Sequence, residues 1–300
     1  MPTKRQKKAV IRQLLVPVLL IIAALLYQPV MGLLHPAEQI KDTTPDKNQL
    51  VVTYLDVGQG DATLISKGNF HMLIDAGKNE RGATVVEYLK SQKIEKLDVL
   101  VGTHPDSDHI GGLDDVLKSI PTDTVYLPEA KKETKTYQQV EEALQEAELV
   151  RQMPELGKSY TYDGNVVIRF LAPERNYKDA NNNSLVVQVA YGKNRFLMMG
   201  DAEEEAENDI IKHWYDLECD VLKVGHHGSY TATSDAFLHA SNPTYAVISC
   251  GEKNSYGHPH AEVLAKLEED DVQTYRTDTM GTIVATSDGQ NVRLSTGKHK

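Results

Sequence analysis

Five apolar runs in this chain stop at a glycine-adjacent polar cluster. The run ending at Ile74 stops at Asp75, two residues before Gly77. Leu97–Val101 leads into His104-Pro-Asp106-Ser-Asp108-His109-Ile-Gly-Gly. Phe196–Met199 stops at Gly200-Asp201, and Asp220–Val224 stops at Gly225-His226-His227-Gly228. Tyr245–Ser249 leads through Cys250-Gly251 to Gly257-His258. Side chains at strand ends are held by a rigid scaffold, so several such ends preorganise one site.

The stretch from His104 to His109 is the densest of these clusters. Its two His offer neutral nitrogen ligands, and its two Asp offer anionic oxygens able to bridge two cations. Gly111 and Gly112 allow a tight turn and a close approach of the backbone. The alternative is a helix start capped by Asp106 or Asp108. That explains one Asp, but not two His and two Asp packed so closely, so a metal site is expected.

The rest of the chain supplies the scaffold. Val51–Leu55, Ala62–Ser66 and His71–Ile74 read as strands, and Val85, Val86 and Leu89 mark an amphipathic helix over 84–93. Leu113, Val116, Leu117 and Ile120 line a second helix that Pro121 ends. A charged helix from about Thr134 to Leu149 buries Tyr137, Val140 and Leu144. Asp163-Gly164 and Gly192-Lys193-Asn194 turn two hairpins. Ile210, Ile211 and Trp214 face inward on a later helix. The chain closes with strands at 272–275, 281–285 and 292–294, the last two joined by a turn at Asp288-Gly289. Runs of strands followed by alternating strand and helix occur twice, which fits two sheets inside and helices outside.

The amino terminus is different. Five basic and no acidic residues precede residue 35, and an apolar stretch runs from Leu14 to Leu34. It is long enough to cross a bilayer, with the basic flank on the cytoplasmic side. A cleaved signal peptide is the rival reading, but no small-x-small cleavage site follows. Residues 1–34 are therefore expected to be a single-pass anchor, 35–50 a linker and 51–300 an exported domain. Removing the five positive charges from the net charge of −11 leaves −16 on the rest. Such a domain is not an obvious non-specific DNA binder. Cys219 and Cys250 are expected at opposite ends of one sheet as buried free thiols.

The chain resembles the metallo-β-lactamase superfamily, and within it the lactamase-like domain of ComEC-type competence proteins. The resemblance covers about 51–295. It rests on Leu55-Asp-Val-Gly-Gln-Gly-Asp-Ala62, Leu73-Ile-Asp-Ala-Gly77, His104 to Gly112, Asn183-Ser184, Gly200-Asp201, Val221-Leu-Lys-Val-Gly-His-His-Gly-Ser229 and Asn254-Ser-Tyr-Gly-His-Pro-His260. It implies an α/β fold, an αβ/βα four-layer sandwich with a two-metal cleft. It implies that His104 and Asp106 hold one cation, Asp108 and His109 a second, and that Asp201 bridges. It also implies that His226 completes the second site, with His227 as its neighbour or substitute, and that Asp75 supports the loop from behind. Asp106 stands where most members have His, and Asn181-Asn-Asn183-Ser184 where many have another His. Added oxygen ligands shift preference from zinc toward manganese or magnesium. Two divalent ions, manganese or zinc, are the expected cofactors.

The resemblance points to a membrane-anchored, extracellular phosphodiesterase or nuclease acting on DNA through metal-activated water. Asp108 and His258 are the expected catalytic residues, with His258 protonating the leaving oxygen or binding phosphate. Gln59 and Asp61 are expected to line the cleft with Asn183, and His260 to cap a helix. Other readings are a phosphodiesterase on cell-wall polymers such as teichoic acid, and a non-catalytic binding module. Lactam or thioester hydrolysis fits Asp106 and the mid-chain Asn run less well. With one apolar stretch, the chain is not expected to transport DNA by itself.

Overall fold

The computed structural model describes residues 48–297 apart from Trp214, together with the backbone of Glu38–Gln39 (β1). The expected anchor and most of the expected linker lie outside the described residues. Among those residues, no helix is long and apolar enough to cross a membrane. The chain divides into two compact units, 1–39 and 40–300, and the second contains all that follows.

Two sheets form its centre. The first runs β16(Val292–Gly297)-β15(Thr282–Ser287)-β2(Leu50–Tyr54)-β3(Thr63–Lys67)-β4(Phe70–Ile74)-β5(Leu97–Val101)-β6(Thr122–Tyr126)-β7(Arg151–Gln152). The second runs β14(Gln273–Arg276)-β13(Tyr245–Ile248)-β12(Val221–Lys223)-β11(Asn194–Met198)-β10(Val186–Tyr191)-β9(Val166–Ala172)-β8(Tyr160–Tyr162). Each sheet is antiparallel on one side and parallel on the other. The parallel stretches run from β4 to β7 and from β11 to β14.

Alternation along the strands makes four layers. Met72, Ile74, Val99, Val101, Phe196 and Met198 fill the core between the sheets. Leu73 and Leu100 face outward and pack with Val85 and Leu89 of α1 (Gly82–Ser91), and with Val140 and Leu144 of α4 (Lys135–Glu146). Leu197 and Leu222 pack with Ile210 of α5 (Glu204–Lys212), Phe237 of α6 (Asp235–Ser241) and Val263 of α7 (Ala261–Glu269). Strands apolar on both faces belong where both faces are covered.

Several boundaries shift. The charged helix spans Lys135–Glu146, and Thr134 caps it by accepting from the Tyr137 N–H. The inward face expected at Ile210 and Ile211 holds, with Ile210 fully buried, while Trp214 is not among the described residues. The closing β15–β16 hairpin returns to pair with β2 in the first sheet, a long-range pairing that no local pattern encodes. Cys219 and Cys250 are both buried and free. They flank β12 and β13, which are parallel, so the thiols lie at opposite ends.

Candidate metal centre

The parallel strands β4, β5, β11, β12 and β13 deliver their carboxyl ends to one edge of the sandwich. Between β5 and α3 (Leu113–Ser119), residues Ser107–Ile110 form a single helical turn (α2). Asp106 occupies its cap position but makes no side-chain capping bond. Gly60 permits the crowding that follows. Its φ is +147°, and a Cβ there would collide with the Asp108 carbonyl oxygen. Beside it the Asp61 N–H donates to that same oxygen at 3.0 Å.

Four imidazoles converge on Asp201. The His109 Nε2 lies 3.1 Å from Asp201 Oδ1. The Nε2 atoms of His104, His227 and His226 lie 3.7, 3.7 and 3.8 Å from Oδ2. In three of these rings the other nitrogen is pinned from behind. His109 Nδ1–H donates to Asp75 at 2.8 Å, His227 Nδ1–H to the Ser249 carbonyl at 2.9 Å, and His226 Nδ1–H to Glu203 at 2.9 Å. For His104, the hydroxyls of Thr103 and Ser184 sit 3.1 and 3.3 Å from Nδ1. Acceptors behind a ring fix its tautomer and aim its free nitrogen, as around metal ligands.

Every inward nitrogen therefore presents a lone pair unless it is protonated. His109 Nε2 and His227 Nε2 are only 3.3 Å apart. Two nitrogens bound at 2.0–2.1 Å to one tetrahedral cation lie roughly 3.3–3.4 Å apart. His104 Nε2 is buried with no hydrogen-bond partner, and Asp201 Oδ1 has only the His109 ring at 3.1 Å; a buried polar atom left unpartnered is costly. Asp61, His109, Asp201 and His227 each bring one ligand atom within 4.8 Å of the others. The residues thus fit a divalent cation.

Burial works against charge on His109 and His227, but carboxylates outweigh it. Asp201 and Asp75 hold His109 well above its usual value, and Asp201, Asp108 and Asp61 raise His227 to about 10. Burial pushes Asp201 up, yet His109, His227 and His104 hold it well below the carboxylate range. Burial and the neighbouring His109 instead lower His104.

The expected site residues fall into distinct places. His104, His109, Asp201, His226 and His227 meet directly. Asp108 Oδ2 lies 3.5 Å from His227 Nε2, at the edge of the group. The Asp106 carboxylate is engaged by Lys132 at 2.7 Å, and among the described residues it makes no ion contact with any of the four imidazoles. His227 stands inside the buried group, whereas His226 is half-buried. Asp75 accepts from the N–H and hydroxyl of Thr103 at 2.8 and 2.7 Å as well as from His109. Asn183 spends its amide on the backbone of Tyr177 and Asp179. Asp75, His226 and His227 all adopt positive φ, at 58°, 45° and 54°, the kind of backbone cost that functional sites retain.

His258 sits next to this group, its ring 5.4 Å from that of His226. Burial, then His227 and His226, push it down to about 4. Gln59 accepts from the Gly251 N–H through Oε1 at 3.1 Å, which turns its Nε2 toward His258 Nδ1 at 3.5 Å. Nδ1 of His258 is then the acceptor, and Nε2 carries the proton. His260 takes the cap position of α7 without a side-chain capping bond; its Nδ1 accepts from the Tyr230 N–H at 3.1 Å.

Four supporting residues had no role assigned from the sequence. Lys223 is fully buried, 2.8 Å from Asp61 Oδ2 and 3.0 Å from the Val224 carbonyl. With burial opposing, it and His227 lower Asp61 to about 2. A lysine inside the apolar run Val221–Val224 was the available signal. Glu203 orients His226, and Ser184 Oγ accepts from the Asp201 N–H at 3.0 Å. Asn254 bonds the backbone of Gly251, Tyr256 and His258.

Residues 55–252 match the family model described as metallo-beta-lactamase superfamily. ComE operon protein 3 of Bacillus subtilis is 30% identical over 252 residues, covering 77% of this chain and 32% of that protein. Competence protein ComA of Neisseria gonorrhoeae is 33% identical over 240 residues, covering 79% of this chain and 32% of that protein. The chain thus spans about a third of the length of these curated relatives. The metallo-beta-lactamase fold protein YhfI from Bacillus subtilis superposes with a TM-score of 0.53 at 12% identity, over 80% of this chain and 99% of that one, a likeness of fold. The two-sheet sandwich, the histidines gathered at its edge and these matches together make the chain a member of the metallo-beta-lactamase superfamily, with ComEC-type competence proteins among its relatives.

Proposed function

We propose that this chain is an exported, membrane-anchored, metal-dependent phosphodiesterase whose substrate is DNA. The observation that carries the reading is the convergence of four imidazole Nε2 atoms on the single carboxylate of Asp201. His104, His109, His227, His226, Asp201 and Asp108 would hold two divalent cations, manganese or zinc, with Asp61, though within reach of the same atoms, engaged by Lys223. Bound there, such cations supply Lewis acidity toward a phosphoryl oxygen and acidify water near neutral pH.

The chain's own residues do the rest. Asp75, the Ser249 carbonyl and Glu203 keep the rings aimed while substrate enters. Asp108, less buried than Asp201 and held ionised against that burial by His227 and His109, would orient attacking water by accepting its hydrogen bond. The Nε2–H of His258 is a hydrogen-bond donor for a phosphate or the leaving oxygen. Relatives named as competence proteins support DNA as the substrate. The basic flank and apolar stretch before residue 35 support a single-pass anchor with the domain outside the cell.

The test uses the full-length chain with single- and double-stranded DNA and bis-p-nitrophenyl phosphate, under manganese, magnesium, zinc or chelator. Metal-dependent DNA cleavage, lost in Asp108→Ala and Asp201→Ala, is expected. Full activity in either variant defeats the mechanism. Cleavage of the small diester but not DNA moves the substrate to another phosphodiester polymer.

A further inference from the structure

We infer that Tyr256 and Tyr230 form a stacking platform for unpaired bases beside the metal centre, so that this nuclease reads single strands. The inference rests on the phosphodiesterase reading and adds the feature that selects the substrate. Large apolar side chains exposed on the surface are few among the described residues, and these two tyrosines, 58% and 65% exposed, are among them. Scattered exposed rings need no explanation, but these two are not scattered. Tyr256 stacks on His258 at 5.6 Å and 21°. Tyr230 meets His260 edge-on at 4.9 Å, and His258 and His260 are 5.0 Å apart. His258 in turn lies 5.4 Å from His226. An unbroken series of rings therefore leads from both tyrosines to the histidines around Asp201.

The platform is held in place. The Tyr256 N–H donates to Asn254 Oδ1 at 3.2 Å, and the Tyr230 N–H donates to His260 Nδ1. Both rings come from the loops of the second sheet. The loops of the first sheet bring cations. Lys132 is spent on Asp106, which leaves Arg81, 3.4 Å from where a Cβ on Gly58 would stand, as the cation that can meet a phosphate. Arg81 has no ion pair among the described residues. A strand crossing the centre would meet positive charge on one side and aromatic rings on the other. That division suits a nucleic acid whose bases are splayed away from its phosphates. A base pair hides its faces in the stack, so a duplex offers the rings nothing to stack on. A polymer without bases has nothing to place on the rings.

The test is fluorescence anisotropy with the full-length chain, chelator present to stop cleavage, and two labelled single strands of equal length. One carries bases and the other is abasic. The chain is expected to prefer the base-bearing strand roughly tenfold, within the range base–aromatic stacking supplies. Tyr256→Ala and Tyr230→Ala should each erode that preference, and Tyr256→Phe should keep it. A purely structural role would weaken both strands alike. Equal affinity for the two strands in the unaltered chain, or an unchanged preference in both Ala variants, overturns the inference. Cleavage assays separate the two readings. DNA cleavage without the preference keeps the activity and removes the platform. The preference without any hydrolysis keeps the platform and removes the activity.

Discussion

Asp75 Oδ2 lies 2.8 Å from His109 Nδ1, on the far side of the ring from Asp201. The same carboxylate holds the backbone and hydroxyl of Thr103. One buried side chain at the end of β4 thus sets both the path of the loop after β5 and the tautomer of a ring that its neighbour strand delivers.

Replacing Asp75 with Asn should therefore harm metal binding more than folding. Loss of such a partner behind a ligating His typically lowers metal affinity about 10–100-fold. Isothermal titration with manganese and zinc checks it. Unchanged affinity would show that His109 is aimed by something else.

The buried pair of Lys223 and Asp61 makes a stability prediction. Lys223→Met leaves Asp61 charged and buried with only the His227 ring, 3.3 Å away, to compensate it, a loss of up to roughly 3–5 kcal/mol. The double variant Lys223→Met with Asp61→Asn should recover much of that loss, because no buried charge is then left unpaired. Urea denaturation of the three proteins decides it, and a double variant as unstable as the single one contradicts the account.

Metal and protons compete for the same nitrogens. In the metal-free chain His109 and His227 have values above that of a free imidazole, His227 at about 10. Their charged contacts stabilise the fold fully below the unfolded value of about 6.5 and lose that contribution as pH rises toward about 10. A cation needs those rings neutral, so metal affinity should rise with pH over the same window. Melting temperatures with and without metal should therefore diverge from pH 6.5 to pH 9. Curves that converge would remove His109 and His227 from the ligand set.

Gly60→Ala should separate the Asp56–Asp61 loop from Asp108. The backbone there is at positive φ, and the new Cβ has the Asp108 carbonyl in its way. The cost is roughly 1–3 kcal/mol, with metal affinity falling as the two loops part. Calorimetry on the purified variant measures both, and wild-type values for each would mean the loops are not coupled.

Much of the centre was legible because it is written locally. Apolar runs ending at glycine and a polar side chain marked the ends of β4, β5, β11 and β12, and the packed His104–His109 stretch named the ligand chemistry. The tandem His226 and His227 could not be resolved that way. Both adopt positive φ, so adjacent rings leave the backbone in directions that strand alternation does not describe. His227 enters the buried group, and His226 is turned by Glu203.

The sequence by itself determined which side chains stand at strand ends and that two sheets must cover each other. These follow from hydrophobic period and turn chemistry, which act over a few residues. Only the tertiary structure decided that Lys132 takes the Asp106 carboxylate, that Lys223 neutralises Asp61, that Gln59 turns His258, and that β15 returns to β2. Gln59 and His258 are 199 positions apart. Pairings at such separations are set by which strands the folded core brings to one edge, and that choice belongs to the whole chain.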